Sequence, residues 1–146
     1  MRRSTFLAAA AALASAAYLT ACGSPPRDLD LSLEHLSTQG HFVVTLQPPA
    51  SGPALDQIQT WQVKLTSRDG TPVTQARLLF NGGMPQHGHG FPTRPRVTRE
   101  LSPGVYALEG VKFSMTGWWD MKLGIQAGER TDTAVFNVVL SDGRHR

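Results

Sequence analysis

Apolar and polar residues alternate along most of the chain beyond residue 41, the two-residue period of strands buried on one face. Phe42, Val44 and Leu46 share a face, and Pro48-Pro49 and Ser51-Gly52-Pro53 then break the run. Over residues 58–66, Trp61, Val63 and Leu65 alternate with Gln62 and Lys64. Asp69-Gly70-Thr71-Pro72 is a turn signal. Further strands are predicted over 76–80, over 96–101, over 105–115 with a break at Gly110, over 119–125 and over 133–140. Pro103-Gly104 and Gly128-Glu129 supply turns between them. No stretch after Gly40 carries a helical period. The pattern predicts an all-β fold, an immunoglobulin-like β-sandwich of about seven strands, with a small closed barrel as the alternative. Trp61 and Trp119 are expected in the core, and Met121 is in phase with Trp119, Leu123 and Ile125.

The amino-terminal residues read differently. Arg2 and Arg3 precede an uncharged stretch, 6–19, made almost wholly of Ala, Leu, Phe and Tyr. It is short for a membrane-spanning helix and suits the apolar region of a secretory signal. It ends in Leu19-Thr20-Ala21-Cys22-Gly23-Ser24. An aliphatic residue, two small residues and Cys resemble the lipobox of bacterial lipoproteins, in which the thiol receives the lipid. The expected division is a signal peptide over 1–21, a lipid-anchored tether over 22–40 and a β-sandwich domain over 41–146. Pro25-Pro26 stiffen the tether, and its Leu29, Leu31, Leu33 and Leu36 suit a short strand or turn against the domain. The implied address is the periplasmic side of a bacterial membrane, and the non-acidic Gly23 favours the outer one.

Cys22 is the only cysteine of the 146 residues, so the domain beyond it has neither disulfide nor thiolate ligand. Without Arg2 and Arg3, the 14 basic residues fall to 12 against 11 acidic ones, a net charge of +1. Such a balance gives no case for nucleic-acid binding. No nucleophile and base fall together, and no paired carboxylates flank the histidines discussed next, so an enzyme is not expected.

Residues 81–95 hold four glycines and three prolines, a poor ladder former, and are expected as a long connection between strands. This segment carries Met84, His87 and His89. Two histidines at i and i+2 fall on one side of an extended chain, and Gly88 and Gly90 let the backbone bend around an ion. Imidazole with thioether suits copper, Cu(I) above all, while Met is a poor zinc ligand. The other reading makes these solvated loop residues. Met115 is a further candidate ligand, although its phase with Val111 and Phe113 favours core packing. Trp118 falls on the opposite face from Trp119, where it lines the site or fills the surface beside it. Arg94, Arg96 and Arg99 form a basic cluster that reads as a solvated face.

Taken in order, Gly82-Gly83-Met84-Pro85-Gln86-His87-Gly88-His89-Gly90, then Gly104-Val105-Tyr106, then Gly110-Val111-Lys112-Phe113-Ser114-Met115-Thr116-Gly117-Trp118-Trp119 are similar to YtkA-like and FixH-like exported proteins. The likeness covers roughly residues 59–140. It implies an immunoglobulin-like sandwich on the outer face of a membrane. It also implies a link to copper handling and to a copper protein or oxidase as partner, since FixH proteins are associated with maturation of copper oxidases. FixH proteins are typically anchored by a membrane helix, where this chain has a lipobox. A non-metal interaction module, docking on a membrane complex through Phe91 and Trp118, is the competing expectation.

Overall fold

In the computed structural model, residues 24–141 are described, and they form nine strands and no helix. Phe42–Gln47 (β2) and Gln59–Ser67 (β3) are the strands expected from their alternation. Arg77–Met84 (β4), Arg96–Ser102 (β6), Val105–Val111 (β7), Gly117–Ala127 (β8) and Arg130–Leu140 (β9) supply the other five. Of the two further strands, the sequence leaves one open between a strand and a turn and does not predict the other. Glu34–Leu36 (β1) lies inside the supposed tether, and His89–Gly90 (β5) lies inside the supposed loop.

The strands make two antiparallel sheets, ordered β1-β2-β3-β7-β6 and β5-β4-β8-β9. The fold is an immunoglobulin-like β-sandwich, with nine strands where about seven were expected. Inward residues of β2 and β3, among them Val44, Leu46, Trp61, Val63 and Leu65, face Trp119, Met121, Leu123 and Phe136 of β8 and β9. All nine are almost wholly buried. At about 25 cal/mol per Å² of apolar surface removed from water, this seam is the main stabilising contribution of the fold.

The packed unit begins before residue 41. Glu34, His35 and Leu36 pair with Thr45, Val44 and Val43, and the His35 ring meets Phe136 edge-on at 4.9 Å. The leucines of 29–36 leave a strand or a turn open there, and the structure makes a three-residue strand of it. The β1–β2 loop is then latched to β9 by one buried carboxylate. Asp132 accepts the Ser37 hydroxyl at 2.6 Å and the amides of Gln39 at 2.9 Å, Thr133 at 2.8 Å and His41 at 3.2 Å. Burial pushes this carboxyl upward, but the Ser37 hydroxyl and the three amides outweigh it and hold the group down at about 2. The Thr38 amide donates to the Thr133 carbonyl beside it, at 2.8 Å.

Candidate metal-binding hairpin

β4 runs to Met84, four residues further than expected, because Gly82 and Gly83 allow the backbone of β5 and β8 to come close. A Cβ on Gly83 would stand 2.3 Å from the His89 carbonyl oxygen, and one on Gly82 2.3 Å from that of Asp120. Glycine was read in the sequence as a breaker of strands, and here it is what permits the pairing. Pro85, Gln86, His87 and Gly88 turn the chain, closed by the amides of His87 and Gly88 on the Met84 carbonyl, both at 3.0 Å. Pro85 suits the second position of such a turn, and Gly88 takes the left-handed conformation at φ +67°. The segment 81–95 is therefore partly a tight hairpin.

The hairpin sets the three candidate ligands. Met84 stands directly opposite His89 in the β4–β5 register. Side chains directly opposite in an antiparallel pair share a face. The His87 and His89 rings lie beside each other, centres 5.9 Å apart and planes 29° apart. The proximity expected of the two histidines is present, but the turn produces it, not an extended chain. His87 and His89 are exposed. Met84 differs from the expectation of a loop residue, since it is only 1% exposed. A Cβ on Gly117 would stand 3.1 Å from the Met84 methyl. The absent side chain of Gly117, at φ +117°, is thus the room that Met84 occupies.

The Gly117-Trp118-Trp119 piece supports the hairpin from below. The buried Trp119 ring lies 6.1 Å from His89, 4.9 Å from Phe91 and 5.4 Å from Phe113. Phe91 also meets Phe80 at 5.4 Å and Phe113 at 5.6 Å. It is partly buried and packs against the core. Trp118 does face away from Trp119, half-buried, with its indole N–H donated to Asn137 at 2.9 Å. Met115 is 44% exposed, which corrects the expectation of core packing. The strand ends at Val111, Phe113 makes one bridge to Leu55, and the chain bends before Gly117, so the alternation stops short of Met115. Its carbonyl accepts the Trp119 indole N–H at 3.1 Å.

Asp120 was not singled out in the sequence. Its carboxylate accepts the Gly83 amide at 2.9 Å and pairs with Lys122 at 2.8 Å, fixing β8 to the root of the hairpin. The signal was its place immediately after the tryptophan pair, which by itself reads as one more outward strand residue. Met84, Gly88, His89, Asp120 and Lys122 are among the residues that line a shallow pocket of about 320 Å³ here. Among the described residues, no group of three or more His, Cys, Asp or Glu side chains comes together as a metal site. The basic cluster is a solvated face in part, with Arg99 paired to Glu109 at 2.7 Å on the surface.

A small sandwich with a histidine hairpin seated on an aromatic stack is the class that these features define. Residues 34–124 match the YtkA-like family, and the chain belongs to it. No curated protein and no solved structure gives a significant match.

Proposed function

We propose that this is an exported lipoprotein, anchored through Cys22, that binds copper at the β4–β5 hairpin and passes it to a partner. Cys22 lies outside the described residues, and the anchor rests on the lipobox pattern around it. The observation that carries the copper reading is the approach of His87 and His89 at the hairpin turn, with Met84 opposite His89 in the strand register. An ion bound by imidazole at about 2 Å stands roughly 3 Å from the ring centre, so rings sharing one ion have centres up to about 6 Å apart. The separation of 5.9 Å falls within that limit. Met84 on the same face as His89 offers a soft sulfur, and two imidazoles with one thioether suit Cu(I). Met115, exposed and two residues before Gly117, is the further candidate ligand.

The role is capture and exchange, not catalysis. An ion held by neutral ligands, two of them exposed imidazoles on a hairpin tip, can be handed over one ligand at a time. The FixH resemblance points to a copper protein or an oxidase under assembly as the recipient. Phe91, one of the two anchors of the interaction-module reading, is partly buried against the core, which favours the copper reading.

The test is Cu(I) titration of the lipid-free domain against a competing chelator, following Trp emission as well as heat. Trp119 beneath His89 makes its emission a local reporter. Wild type should bind, and the His87→Ala/His89→Ala double variant should bind much more weakly. Equal affinity in the two would remove the site from this hairpin.

A further inference from the structure

The start of the tether is not free of the domain. The Gln86 side-chain amide donates to the Ser24 carbonyl at 3.0 Å, and the Asn137 amide donates to the Asp30 carbonyl at 2.9 Å. Asn137 also takes the Trp118 indole N–H, so the segment from Ser24 to Asp30 is held past the end of β8 that carries Trp118. Gln86 is covalently next to His87. Cys22 is two residues before Ser24, a reach of at most roughly 7 Å. A lipid on Cys22 would then start within that reach of the Ser24 carbonyl that Gln86 holds. The opposite end of the same sheet, at the Gly128-Glu129 turn, is the length of β8 away. Eleven strand residues span roughly 33 Å.

We propose that the end of the sandwich bearing His87 and His89 is held against the bilayer by the docked tether, and that the hairpin opens at the lipid headgroups. This rests on the anchor and the hairpin site proposed above. The docked tether does the opposite of what a slack linker would do. A slack linker lets the domain tumble, whereas two hydrogen bonds on one side of the molecule fix which end faces down. The hairpin then presents its ion at the membrane surface and not to the open compartment.

The acylated full chain provides the test, because lipid blocks its only native thiol. A single cysteine is introduced at Thr116→Cys, exposed beside the start of β8, or at Glu129→Cys, exposed at the far turn. Each is labelled with a fluorophore and reconstituted in phosphatidylcholine vesicles containing a headgroup spin-labelled lipid. Several-fold stronger quenching at 116 than at 129 is expected. Equal quenching, or more at 129, overturns the proposal. Adding Gln86→Ala and Asn137→Ala, with the fold checked by circular dichroism, should erase the difference. A difference that survives the release overturns docking as its cause. A chain that fails to float with vesicles also overturns it, and leaves the copper reading to the lipid-free titration.

Discussion

Met84 joins a packing role to the ligand role proposed above, and substitutions separate the two. It is buried against Gly117 and stands across from His89. Met84→Ala should cost about 2–5 kcal/mol, as for other buried methionines. Met84→Leu keeps the volume and should cost less than about 1.5 kcal/mol. The Leu variant should nevertheless weaken Cu(I) more than Cu(II), since only the soft ligand is lost. His87→Ala and His89→Ala, both at exposed positions, should stay within about 0.5 kcal/mol of wild type. Urea denaturation of the metal-free domain measures all four. Gly117→Ala tests the fit from the other side. A Cβ there meets the Met84 methyl at 3.1 Å on a backbone at φ +117°, so the change should destabilise by more than about 1 kcal/mol.

At the level of elements, Asp132 holds the β1–β2 loop on β9, and acid should release it. Its folded value, about 2, lies below the ordinary 3.8. Its contribution is then full above pH 3.8 and is lost as pH falls through about 2. Thermal unfolding across that window should show wild type losing stability that Asp132→Ala never had. At neutral pH the variant should be weaker by about 2–3 kcal/mol, the scale of hydrogen bonds to a charged group. The latch also shows where the sequence was legible. Long alternating runs such as 61–65 and 119–125 declared their strands and inward faces, because one buried face imposes a period of two. β5 did not, because its pairing depends on glycines whose value is the space they leave, and β1 stayed open between a strand and a turn, because three residues are too few to show a period. The histidine pair was visible from spacing, though the turn that aligns the rings was not. Met115 was misplaced because a phase cannot reveal where a strand stops. Asp132 read as one polar residue among several, since three of its four hydrogen-bond partners lie over 90 positions away.

For the whole molecule, Trp61 sits at the centre of the seam between the sheets, wholly buried. Trp61→Ala should cost about 3–5 kcal/mol by denaturant titration. Cys22→Ser should move the protein from the membrane fraction to the soluble one, and a variant that still pellets through high salt would refute the anchor. The latch between Ser37 and Asp132 spans 95 residues, which sets an order of assembly. β8 and β9 are joined by a two-residue turn, and such hairpins close in about 1–10 μs. Contacts between the two ends of the chain come late, because their loop entropy is met only once the rest is in place. Breaking the latch should therefore speed unfolding and leave the folding rate almost unchanged. For a chain threaded through a membrane amino end first, the strand that emerges earliest is the one that must wait longest for its fastening.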